Sequence, residues 1–368
     1  MNQYAFRILI GQPLRLALTV FGTALCIVLM LFLLSIYQGV KEGSVEYIQK
    51  NEADLWILQR NAWNILRGSS ILSMGHGKFI EELPGVETVA PVLLILSGIK
   101  HNGKITTVFL TGFDPEKKLG GPPQIIEGHS IKNNHEIVLD KSFAAKFHFH
   151  IGDVIQIQDD TLTIVGLSDG TNALVIQYAF ATLKQVQSLI GFPNIVTCFL
   201  IKIKEGFHPD SVTRTIKDEL PDLEVYDQKT FLQNNIREME TGFLPFLYTV
   251  AIIGMIVLTT ILSLLLSINI LEQRKDYAVL KILGSSKKLL WRLILDQSMI
   301  IIGTSLILAF LLFFPLTLLI EHIYPEISTK TSLIQIIIVT LITGLMGILS
   351  AIISIRKIRK IYPMEAFA

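Results

Sequence analysis

The run TGFLPFLYTVAIIGMIVLTTILSLLLSINIL, from Thr241 to Leu271, contains no Asp, Glu, Lys or Arg. A helix needs about 20 apolar residues to cross the hydrocarbon core of a bilayer. The stretch is longer than that, so its start, around Thr241 to Pro245, is expected to protrude. Three more charge-free runs stand at Leu16 to Val40, Gln297 to Ile320 and Thr331 to Ile355. A buried helix of a soluble protein stays apolar for only about 10 to 14 residues, so all four runs read as membrane spans. The first is too long for the apolar part of a cleaved leader, and no small-x-small site follows at Tyr37 to Val40. It reads as a retained anchor.

Composition agrees. Of 368 residues, 51% are hydrophobic and 17% charged, with a mean hydropathy of +0.52. A soluble domain carries about 25% charged residues. The two cysteines, Cys26 and Cys198, cannot form a disulfide framework and are expected as free thiols.

Basic residues near the span ends set the orientation. Arg7, Arg15, Arg274, Lys275, Lys281, Lys287, Lys288, Arg292, Arg356, Lys357, Arg359 and Lys360 gather on one side. The loop from Glu321 to Lys330 on the other side has Lys330 alone. Both termini are therefore expected in the cytoplasm. The chain holds 32 basic and 31 acidic residues; removing those 12 basic and the four acidic Glu272, Asp276, Asp296 and Glu365 leaves 20 against 27. An acidic remainder is a poor match for nucleic acid.

The resulting fold class is an α+β membrane protein, with four transmembrane helices and a large mixed α/β extracytoplasmic domain between the first and second. The expected divisions are a cytoplasmic amino end (1–15), span one (16–40), the outer domain with stalk helices at both ends (41–240), and span two (241–271). A cytoplasmic coupling loop (272–292), span three (293–320), an outer loop (321–330), span four (331–355) and a cytoplasmic carboxyl end (356–368) follow.

Within the outer domain, strands are expected at 53–58, 86–99, 105–111, 136–139, 154–157, 161–166 and 196–203. Helices are expected at 77–83, 141–147, 210–220 and 228–240, and Gln38 to Lys50 reads as a continuation of the first span. Asn102-Gly103 between apolar runs marks a hairpin, since both residues tolerate positive φ.

Two motifs here imitate chemistry. Gly98 to Ile105 approaches a phosphate-binding loop but lacks the final Ser or Thr and lies in a hairpin. His148 and His150 alternate, with His129 and His135 nearby, but no Cys, Asp or Glu has matching ligand spacing. They read as a solvated edge. No catalytic constellation, metal site or cofactor is expected.

The loop after the second span is the most informative segment. It runs Leu271-Glu272-Gln273-Arg274-Lys275-Asp276-Tyr277-Ala278-Val279-Leu280-Lys281-Ile282-Leu283-Gly284-Ser285-Ser286-Lys287-Lys288. Gly284 supplies a helix stop, and Ser285 or Ser286 can cap a short basic helix that feeds the third span. This loop resembles that of the MacB/FtsX-like permeases of ABC transporters, matched at Glu272, Arg274, Asp276, Ala278, Leu280, Lys281 and Gly284, with Tyr277 in place of the common Ile. The entry at Ala5-Phe6-Arg7 and Pro13-Leu14-Arg15 and the ending Pro363-Met364-Glu365-Ala366-Phe367 are similar to the family's. So are Glu136 to Asp140, Ile151 to Val154 and Thr163 to Gly166. Asn51 to Leu58 and Thr111 to Pro115 point to the DevC-like, glycolipid-exporting branch.

The resemblance implies an inner-membrane permease subunit, itself not an enzyme, working as a homodimer with a cytosolic ABC ATPase dimer. Glu272, Arg274, Asp276, Lys281, Gly284, Ser285, Ser286, Lys287 and Lys288 would form the ATPase-coupling segment. A periplasmic adaptor and outer-membrane channel are conceivable partners, and an amphiphile is the expected cargo. Regulation of an outer-face cell-wall hydrolase and haem export are the alternatives, the latter with Tyr37, Met239, Tyr248, His322 and Tyr324 as conceivable ligands. Nearly charge-free spans, with Asp296 alone near one, argue against ion-driven transport. Thr343, Gly347 and Ala351 form a small-residue stripe suited to close helix packing.

Overall fold

The computed structural model describes residues 11, 13–65, 68–101, 104–172, 177–242, 244–272, 287–325, 327 and 329–358. They divide into two compact units, one holding 1–38, 245–320 and 329–368 and the other 39–244 and 321–328.

Among the described residues four helices are long and apolar enough to cross a membrane. They are α1 (Pro13–Lys50) and, in the element numbering used from here, α7 (Leu244–Glu272), α8 (Lys287–Ile323) and α9 (Leu333–Ile358). In the first unit α1 lays Ala24, Ile27, Val28 and Leu31 against Ala309 and Phe313 of α8 and Val339 of α9. Leu262 of α7 packs on Ile301 and Ile302 of α8. Lipid tails supply no hydrophobic drive between helices, so small and hydroxyl residues make the close contacts. Ser298 donates to the Gly347 carbonyl at 2.8 Å, Ser350 to the Thr259 carbonyl at 3.1 Å and Ser354 to the Ser263 carbonyl at 3.1 Å. Leu14, Leu18, Phe21, Leu25 and Leu29 form an exposed apolar face on α1.

The second unit is built on one sheet. Its strands are β1 (Leu55–Gln59), β3 (Val86–His101), β4 (Lys104–Phe113), β5 (Gln124–Gly128), β6 (Glu136–Asp140) and β7 (Val154–Ile157). To these add β8 (Asp160–Asp169), β9 (Tyr178–Thr182), β11 (Cys198–Ile203) and β12 (Leu223–Asp227), while β2 (Leu72–Ser73) pairs separately with β10 (Ile195–Val196). Among the described residues the order is β12-β1-β11-β3-β4-β9-β6-β8-β5, with β7 joining β3 and β8. The pairs β4 with β9 and β6 with β8 are parallel; the others are antiparallel.

Both faces of the sheet are covered, so its central strands are apolar on both sides rather than alternating apolar and polar. In β1, Leu55 and Ile57 enter one core, and Trp56 and Leu58 the other. Ile80 of α2 (Met74–Glu81), Phe143 of α3 (Lys141–Phe147), Val186 of α4 (Leu183–Ile190) and Ile216 of α5 (Pro209–Glu219) pack in the first core. The second holds Tyr47 and Ile48 from the far end of α1 and Phe231 of α6 (Gln228–Gly242).

The expected strands and helices of the outer domain are present, with shifted ends. Asn102 and Gly103 lie outside the described residues, but Lys100 faces Ile105 across the hairpin. The stretches 124–128, 178–182, 183–190 and 223–227 are regular elements that the periodicity did not announce. His148 is not in an extended segment: it closes α3 in the left-handed region at φ 57.

Candidate functional site

The candidate places are the segment joining α7 to α8 and the place where the two ends of the outer domain meet. In the first, Glu272 closes α7, and Lys287 and Lys288 open α8. Arg274, Asp276, Lys281, Gly284, Ser285 and Ser286 lie outside the described residues. Lys288 is exposed.

The small-residue stripe packs against α8 of the same chain. Thr343 and Ala351 are fully buried, and a Cβ on Gly347 would overlap the Ile302 side chain of α8. The backbone of α9 thereby comes close enough to accept from Ser298. Nearby on α8, Gln297 is buried with neither amide atom bonded among the described residues, and Asp296 Oδ2 and Ser305 Oγ are in the same position.

The meeting of the domain ends is built around Gln228, the first residue of α6. Its Nε2 donates to the carbonyls of Ile48 at 2.5 Å and Asn51 at 3.2 Å, which would otherwise be unsatisfied at the end of a helix. Its Oε1 accepts from the indole N–H of Trp56 at 2.6 Å. A buried indole N–H needs such a partner. Trp56 stacks on Phe231 at 4.7 Å, and Tyr47 stacks on Tyr178 at 5.0 Å. One turn further, Asn235 holds the Ile65 N–H at 3.1 Å. At the other end of the pair, Lys41 meets Glu240 at 3.3 Å, a half-buried contact still open to solvent and worth about 1 kcal/mol or less. The outer end of α1 and the start of α6 are thus held together by buried hydrogen bonds and rings. The sequence marked neither Gln228 nor Trp56; a tryptophan in an apolar strand signalled that a partner was required, but not which one.

Charged groups elsewhere serve the fold. Burial pushes the Asp140 carboxyl up, against the pull of Thr171 Oγ1 at 2.7 Å and the Ser142 N–H at 2.8 Å. Slight burial opposes ionisation of Asp227, yet the hydroxyl and N–H of Thr230, at 2.6 and 2.9 Å, bring its pKa below the ordinary value. Burial pushes the Cys198 thiol up, which makes it unreactive.

Among the described residues no three His, Cys, Asp or Glu side chains are grouped as metal ligands. His148 and His150 are exposed. Of the residues considered for haem, Tyr37 and Tyr248 lie with ring centres 6.3 Å apart in the first unit. Met239, His322 and Tyr324 belong to the second unit.

Comparison with known proteins bears on both units. Residues 16–219 match the MacB-like periplasmic core domain, and residues 248–363 match the FtsX-like permease C-terminal domain. An uncharacterized ABC transporter permease of Mycobacterium tuberculosis is 22% identical over 278 residues, covering 74% of this chain and 73% of the relative. One from Mycobacterium bovis is 22% identical over 273 residues, covering 73% of each. Among solved structures, the periplasmic region of MacB from Actinobacillus actinomycetemcomitans aligns with a TM-score of 0.41 at 15% identity, covering 50% of this chain and 94% of that one. Two family models that together span the outer unit and the membrane helices leave one assignment: the chain belongs to the MacB/FtsX-type permeases, the multi-pass membrane subunits of ABC transporters.

Proposed function

We propose that this permease couples ATP hydrolysis by a separate cytosolic ATPase pair to movement of its outer unit, and so exports or extracts an amphiphilic substrate. The observation that carries the reading is α1. One uninterrupted helix, Pro13–Lys50, supplies the charge-free run Leu16 to Val40 and also the buried core residues Tyr47 and Ile48. A helix is stiff along its axis, so a displacement of a few ångströms applied at the cytoplasmic ends reaches the sheet, as in hinge and shear transitions. The Gln228 junction makes α6 move with it. The nearly charge-free spans offer no polar conduit, which favours capture of an amphiphile at the outer leaflet or beyond.

In this reading the permease is a homodimer in a cytoplasmic membrane with both termini inside. The segment from Glu272 to Lys288 receives the ATPase, and an adaptor and outer channel complete the route where a second membrane exists.

Co-expression with candidate cytosolic ABC subunits tests the central claim. One of them should co-purify and hydrolyse ATP, and the rate should rise with amphiphile in proteoliposomes. Hydrolysis by the pure chain, or a complex that responds only when a cell-wall hydrolase is added, goes against it.

A further inference from the structure

We propose that the outer unit carries a binding cleft, at the far end of α1, for a small amphiphile with an anionic group, a phosphate or carboxylate on an apolar body. That this ligand is cargo rests on the export reading; that it binds does not.

The cleft has a volume of about 560 Å³, within the usual range of about 300 to 1,000 Å³ for small-molecule sites. Lys50, Asn51, Phe113, Lys118, Pro122 and Ile131 are among its lining residues. Phe113 and Ile131 are nearly buried and give it an apolar base. Adjacent prolines, Pro122 and Pro123, stiffen one wall, which lowers the ordering cost of binding.

Its charges are unevenly committed. Lys50 Nζ is held by Glu46 at 2.9 Å, and the Glu52 carboxylate also lines the cleft. Lys117, one residue before the cleft, is taken by Glu81 at 2.6 Å. Asp114 is occupied in capping the short turn Pro115–Lys117, accepting from the Glu116 N–H at 3.1 Å. Lys118 then stands in the left-handed region at φ 55, exposed, with no carboxylate within ion-pair distance among the described residues. In an otherwise acidic domain, an uncommitted ammonium beside an apolar base matches a ligand that is charged at one end only.

Besides Lys50, which belongs to α1, the far wall of the cleft is tied to that helix through Gly120. The Gly120 N–H donates to Asn51 Oδ1 at 2.7 Å, and its carbonyl accepts from the Tyr47 hydroxyl at 2.7 Å. Only glycine fits, since φ is +79° and a Cβ would overlap Val92. A ligand that shifts the wall from Lys118 to Pro123 therefore pulls on Asn51 and Tyr47 directly. Asn51, Phe113 and Pro115, from the two segments that marked the DevC-like branch, all line this cleft.

The test uses full-length permease in phosphatidylcholine nanodiscs and isothermal titration, with empty nanodiscs subtracted. The probes are octyl phosphate, octanoate, inorganic phosphate and octanol. Octyl phosphate or octanoate should bind saturably, and the tighter of the two identifies the head group. Lys118→Asn, which keeps the left-handed backbone accessible, should weaken binding about tenfold, the loss of one charged hydrogen bond. Lys184→Asn, at an exposed position of α4, should leave it unchanged. Four results overturn the proposal: no saturable signal, equal binding of octanol, inorganic phosphate binding as tightly as octyl phosphate, or Lys118→Asn behaving as wild type. Saturable binding that leaves the ATPase rate of the assembled complex unmoved supports the cleft and goes against amphiphile export, so the two claims fail separately.

Discussion

At Gln297 both amide atoms are buried with no hydrogen-bond partner among the described residues, on a helix long and apolar enough to span a membrane. An unpaired amide of this kind costs about 1 to 3 kcal/mol by protein mutational measures. Gln297→Leu should therefore raise the thermal midpoint of the solubilised permease by a few degrees. A lower midpoint would show that the amide has a partner in the working protein. Asp227 is the opposite case, a carboxylate well served by Thr230 at the start of α6. Asp227→Ala should cost about 1 kcal/mol, as loss of a helix cap does. Because its folded pKa is depressed, this contribution is complete above the ordinary Asp value of about 3.9 and disappears as pH falls through the lower folded value. Acid titration of wild type and variant should show their stabilities converging below that range; a constant gap would mean the cap does not depend on charge.

Among the elements, α3 and β7 could be read from the chain because local chemistry marks them. Asp140 caps α3, and Val154 to Ile157 alternates in burial. By contrast β9 passes into α4 without an intervening turn, and its Ala179 and Ala181 favour helix; the boundary is marked only by Thr182, which caps α4 by accepting from the Gln185 N–H, and apolar periodicity does not show it. The five residues of β12 lie between two helices and pair with β1, more than 160 residues earlier. Strand pairing at that separation leaves no local trace. The same holds for Gln228, which reads as an ordinary helical residue until its partners are known. The α7 to α8 segment shows the complementary situation, with its motif written in the chain. There Gly284→Pro, which fixes φ near −65°, should abolish export while leaving insertion intact. Reversing Lys287 and Lys288 to Glu should weaken ATPase association only partly, about 0.3 to 1 kcal/mol for each charge contact made at the surface of the partner. Pull-down and transport assays on both variants check this; full export by the proline variant would reduce the segment to a linker.

For the molecule as a whole, the four spans were legible because membrane insertion is a property of local composition. The basic residues predict the orientation, which has a direct test. Cysteines at Ser130 and Lys287, in an otherwise cysteine-free chain, should react with an impermeant maleimide from opposite sides of sealed vesicles. Reaction of both from one side would require a different threading of the helices.

The bond from Gln228 to Ile48 joins residues 180 positions apart. At about 5 to 20 residues per second, synthesis of that interval takes on the order of 9 to 36 s. During that time the amino-terminal helix is already made, while of the strand partners of β1 the first, β11, is complete only at Ile203, and β12 and the cap for the helix's outer end come last. Trp56 and Tyr47 must wait in an unfinished chain, which under the proposed threading lies on the far side of the membrane. Nascent permease stalled before residue 228 should accordingly be protease-sensitive and bound by extracytoplasmic chaperones, and it should become resistant only once the closing glutamine has crossed.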